Sequence, residues 1–97
     1  MSVVIPIVAT ESQVLTVQLG DQPCRIAIYQ KSTGLYLDLF VNDVAIVTGR
    51  LCENNTLCVR AAYLGFAGDL IFNDTNGDSD PTYDGLGSRF VLLWLEP

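Results

Sequence analysis

Histidine is absent from the 97 residues, and with it go the commonest general base and every Ser-His or Cys-His nucleophile arrangement. Basic side chains are few. Arg25, Lys31, Arg50, Arg60 and Arg89 stand against 11 acids, for a formal net charge of −6. A phosphate backbone is bound by clustered Lys and Arg, and these five are scattered, which disfavours nucleic acid as a partner. Attraction to anionic membrane is disfavoured on the same ground. Cysteine is limited to Cys24, Cys52 and Cys58, an odd number that cannot all pair within one chain. The Cys52–Cys58 spacing fits no common zinc pattern, so the expectation is three buried thiols in a reducing compartment, with no metal and no redox role.

Long apolar runs are lacking too, and none approaches the about 20 residues that a membrane span needs. The opening Met1-Ser2-Val3-Val4-Ile5-Pro6-Ile7-Val8 has no basic region, and Pro6 interrupts its short apolar stretch. It does not read as an export signal, and the chain is expected to stay in the cytoplasm where it is made. No glycine-rich phosphate loop is present. Neither enzyme activity nor a cofactor is expected.

What is abundant is apolar character, 49% of residues against 16% charged, which argues against disorder and leaves apolar surface for a partner. The dominant rhythm is period two, that of half-buried strands. Leu15, Val17 and Leu19 share one face, Thr16 and Gln18 the other; Gly20-Asp21 then turns the chain. Cys24, Ile26 and Ile28 face inward, Arg25 and Tyr29 outward. Lys31-Ser32-Thr33-Gly34 turns again, with Gly34 suited to a positive φ. Leu35, Leu37, Leu39 and Val41 alternate with Tyr36, Asp38 and Phe40, and Asn42-Asp43 leads into Val44–Leu51. These tight connections predict an antiparallel four-strand meander.

After a loop at Glu53–Thr56, the spacing of Leu57, Ala61 and Leu64 allows one short helical turn near residues 57–64, with Thr56 as its cap. Gly68–Asn73 reads as a strand with Leu70 and Phe72 inward. The last strand, Arg89–Leu95, is apolar on both faces, so it is either central in its sheet or one face is an interface. About six short strands in a chain of this length make an all-β fold, a small antiparallel barrel or sandwich. The organisation read from the sequence is an extended N-terminal arm over residues 1–12 and a single β domain over 13–97.

Two features invite a ligand reading. Tyr29 and Tyr36 sit on outward faces, where cross-strand packing accounts for them. The loop Asp74-Thr75-Asn76-Gly77-Asp78-Ser79-Asp80 places Asp74, Asn76 and Asp78 like the first ligands of a calcium loop. Ser79 and Gly85 then stand where the sharp-turn glycine and the bidentate glutamate belong. An Asx-turn loop is the plainer account. The alternative function it raises is a stand-alone ligand-binding β module, calcium-dependent through Asp74–Asp80.

A family comes into view in the last third. Gly68-Asp69-Leu70-Ile71-Phe72, Asp74-Thr75, Gly77, Asp80-Pro81, Asp84 to Gly87 and Arg89 through Leu95 form a series. With Leu35-Tyr36-Leu37-Asp38-Leu39 upstream, the series resembles the small baseplate plug proteins of contractile-tailed bacteriophages, a family once of unknown function. The resemblance implies a structural virion protein of the tail baseplate, assembled in the host cytoplasm. It implies contact with other tail and baseplate hub proteins, with room for a homo-oligomer in the assembly, and a part in tail assembly or closure of the distal tube. Val3, Val4, Ile5, Pro6 and Ile7 of the arm, which Pro6 keeps extended, and Leu93 of the last strand are the residues expected to make partner contacts.

Overall fold

The computed structural model describes residues 2–59 and 66–96. Seven strands form two antiparallel sheets: β1 (Ser2–Ile5), β2 (Ser12–Leu19), β3 (Gln22–Lys31), β4 (Gly34–Val41), β5 (Val44–Leu51), β6 (Asp69–Asp74) and β7 (Phe90–Leu95). The expected meander is one sheet, in the order β2-β3-β4-β5, and the other runs β1-β7-β6. The two pack over one shared core and do not close, so the architecture is a sandwich rather than a barrel.

Local chemistry explains the meander. Inward Ile26, Ile28, Leu35, Leu37 and Leu39 are buried almost completely, and their alternation pins the register, because a one-residue slip would turn them all to solvent. Asn42 and Asp43 adopt φ of 51° and 64°, the mirror-image turn whose twist suits a hairpin and whose residues tolerate left-handed backbone. The β4–β5 ladder carries two register shifts, and beside them Gly49 takes φ 62°. There its N–H leaves the ladder and donates to Asp38 Oδ1 at 2.7 Å.

The second sheet depends on pairings far apart in sequence. β7 lies centrally, with β1 on one side and β6 on the other. Ile5, Leu92 and Phe72 lie abreast on its inner face, all buried. The seventh strand, beyond those the periodicity suggested, is β1. The N-terminal segment is extended, and over Ser2–Ile5 it pairs with β7 of its own chain. Ile5 and Ile7 are buried in the shared core, while Val3, Val4 and Pro6 remain exposed.

Of the helical turn expected near 57–64, residues 60–64 lie outside the described residues, and Leu57 instead bridges antiparallel to Ile71. The helical turn that the described residues do contain is a 3-10 turn at Tyr83–Gly85. The two sheets are tied by side chains as well as by packing. The Gln22 amide exchanges two hydrogen bonds with the Ala67 backbone, and the Gln30 carbonyl accepts from Tyr83 N–H at 3.1 Å.

Candidate interaction surface

The outer face of the three-stranded sheet is built from the residues that alternate with its core. Val4 lies opposite Leu93, and Leu93 opposite Ile71. Leu57 continues the row through its bridge to Ile71. Directly paired residues of antiparallel strands point to one face, so these four side chains form an apolar stripe across the whole sheet. Val4 is 63% exposed and Leu57 41%, while Leu93 and Ile71 between them are half-buried.

Two of the residues expected to make contacts, Val4 and Leu93, are thus brought side by side. Val3 is exposed at the edge beside Trp94, and Pro6 is exposed just beyond the strand. Ile5 and Ile7 face the protein's own core. Ile71 and Leu57 are members of the surface that sequence reasoning missed. The first was legible as the outward residue between Leu70 and Phe72; the second depends on a bridge with no local signature.

The acidic loop is organised from within. The Asp74 carboxylate is buried and receives Arg89 Nε on Oδ1 at 2.8 Å and Arg89 Nη2 on Oδ2 at 2.9 Å. It also accepts the N–H groups of Asn76 and Ser79. Hydrogen bonding to the Arg89 guanidinium holds its pKa well below the usual carboxylate range, against the opposing effect of burial. The first of the calcium-loop positions is therefore committed to a cation the chain itself supplies. Asp80 accepts Asn54 N–H, Asp84 accepts the Thr82 hydroxyl, and Asp69 accepts Val59 N–H. These acids act as pins for backbone and loops, and among the described residues no group of three or more metal-ligating side chains converges.

On the outer face of the meander the aromatic and charged side chains pair with one another. Tyr29 and Tyr36 stack at 6.0 Å, with the Lys31 ammonium over both rings. Tyr29 donates to Asp38 Oδ1 at 2.9 Å. Nearby, a notch of about 250 Å³ borders Arg25, Phe40, Asn42 and Asp43. Its guanidinium already lies over Phe40 and reaches Asp43 at 3.9 Å.

A surface of apolar rows and internally paired charges is suited to holding a neighbour. A family model described as the cyanophage baseplate Pam3 plug gp18 matches residues 3–97. The chain belongs to this baseplate plug family. Membership makes it a structural component of the virion, placed in the tail baseplate among other baseplate and tail proteins. No curated protein matches the chain. The plug-family chain also contains, among its described residues, no helix long and apolar enough to cross a membrane.

Proposed function

We propose that this plug protein works by protein–protein contact alone, without catalysis, and that it helps to assemble or close the distal end of the tail tube. The observation that carries the reading is the Val4–Leu93–Ile71–Leu57 stripe. A sandwich of this size has little reason to leave an apolar row across a whole sheet face unless another surface covers it. Val3 and Pro6 extend the contact along the outer edge of β1, which no described strand pairs and where a neighbour can add backbone hydrogen bonds. Partners of this surface are the tail and baseplate hub proteins, with a second copy of the chain as the further candidate.

The test is co-assembly with the purified hub proteins of the same tail. Val4→Lys places a charge in the stripe without touching the core and leaves the melting temperature near that of the native chain. It abolishes incorporation if the stripe is the contact. Incorporation of V4K and of Leu93→Lys at native levels would remove this surface from the function.

A further inference from the structure

Sheet edges present unpaired N–H and C=O groups, and folded proteins shield them with bulges, charges, prolines or covering segments. Two edges here are shielded. Residues 54–58 cover β6, with Asn55 N–H and Cys58 N–H donating to Phe72 and Leu70 carbonyls, both at 2.8 Å. β5 is broken by its register shifts, by Gly49 at φ 62° and by neighbouring Arg50.

Among the described residues the β2 edge has no such device. Its eight residues, Ser12–Leu19, include no charge, no proline and no glycine, and their register against β3 runs unbroken. No described strand pairs with its outer side. Gln30 N–H donates to the Glu11 carbonyl at 2.8 Å, so Glu11 turns its backbone groups toward β3. By alternation Gln13, Leu15, Val17 and Leu19 do the same, and Ser12, Val14, Thr16 and Gln18 aim theirs outward. Inner-face Leu15 and Val17 are only partly buried against the core, whereas their β3 partners Ile26 and Cys24 are fully buried. No described strand lies beyond β2 to finish their cover.

We infer that the β2 edge takes an added β-strand from a different protein, an extended segment with alternating apolar residues and a basic residue near each end. The charges select the occupant. Glu11 and Asp21, both exposed, bracket the uncharged strand. In an antiparallel pairing with a second copy that sets Leu15 opposite Val17, Glu11 falls opposite Asp21 at both ends, and like charges directly opposed are unfavourable. The net charge of −6 on each copy adds to that repulsion. A foreign strand with Lys or Arg at those positions meets opposite charges instead. This surface is separate from the Val4–Leu93 stripe and stands whether or not that stripe is a contact.

The experiment uses fluorescent peptides of about ten residues, alternating Val and Thr, with Lys at both ends or Glu at both ends. Binding is read by anisotropy against the full chain. At low salt the Lys-ended peptide binds about tenfold tighter than the Glu-ended one, and the gap narrows as salt rises. Thr16→Pro deletes an outward N–H while sparing the β3 ladder, and weakens both peptides about tenfold. The double variant Glu11→Lys/Asp21→Lys inverts the preference, an outcome that misfolding cannot imitate. Equal binding of the two peptides, indifference to T16P, or no binding of either overturns the proposal. So does a concentration-dependent dimer of the native chain that T16P dissolves, since the edge would then belong to a second copy.

Discussion

Arg89 closes over Asp74 in a two-pronged grip, Nε on Oδ1 and Nη2 on Oδ2, from a position at the entrance to β7. The pair does more than neutralise one buried carboxylate. Arg89 Nη2 also reaches Ser79 Oγ at 3.2 Å, and its carbonyl accepts both the hydroxyl and the N–H of Thr75. The loop that carries most of the acids in the last third is thus folded around a cation from its own hairpin.

This grip sets an acid limit on stability. The folded-state pKa of Asp74 is depressed, chiefly by the bond from Arg89. Its contribution is therefore present above the ordinary aspartate value of about 4 and is lost as pH falls below it. The melting temperature is expected to fall on the acid side as the Asp74 carboxylate is protonated. Asp74→Asn flattens that decline and lowers the melting temperature at neutral pH. Arg89→Met lowers it further, because it leaves a buried carboxylate without its cation.

A glycine ties the N-terminal segment to the last hairpin. Gly87 sits at φ 83°, and a Cβ there would lie 2.4 Å from the Ile7 carbonyl oxygen. Gly87→Ala is expected to cost about 1–3 kcal/mol from the backbone conformation alone, with displacement of Ile7 on top. Denaturant unfolding measures the loss, and Ser88→Ala, one residue along and exposed, serves as the mild control.

Much of this fold is legible in the sequence, and what is not has a physical cause. The meander was legible because each strand alternates and each turn carries its own chemistry, down to Gly34 and the Asn42-Asp43 pair. β1 was legible only as extended chain. Its partner β7 lies some ninety residues away, and nothing in Ser-Val-Val-Ile distinguishes a docked strand from a free arm. The Asx-turn reading of the Asp74 loop is met by the bond from Asn76 N–H to Asp74 Oδ1, while the group that neutralises the carboxylate, Arg89, is distant in sequence. The one available hint was that Arg89 is the only base after Arg60.

The thiols make a cheap check on the core. Cys24, Cys52 and Cys58 are free and buried. Burial pushes the Cys24 thiol up, and a hydrogen bond with Cys58, added to burial, pushes Cys52 up. The native chain is expected to resist a thiol reagent at mildly alkaline pH and to react at all three sites in denaturant. Because these pKa values are raised, the stability they carry is intact below the ordinary thiol value of about 8.5 and declines as pH climbs above it. Cys52→Ser, which brings a stronger hydroxyl into the same apolar site, lowers the melting temperature more than Cys52→Ala.

Hydrogen exchange on the isolated chain separates a docked β1 from a free arm. β7 is hydrogen-bonded on both sides over Leu92–Leu95, so its amides there should be among the slowest to exchange. β1 is bonded on one side only, and alternate amides within Val3–Ile5 should be protected while those aimed at the edge exchange quickly. The same alternation is expected in β2, with Leu15 and Val17 slow and Val14 and Thr16 fast. Ile5→Ala removes a side chain packed beside Leu92 and should cost about 2–5 kcal/mol, with protection lost across β1. Uniformly fast exchange from Val3 to Ile5 in the native chain would show that β1 is undocked until a neighbour arrives. Ile5 and Ile7 would then join Val3 and Val4 as contact residues. Protection in the predicted alternation keeps those two isoleucines in the core and leaves contact to the outward side chains, with Val4 and Leu93 at their centre.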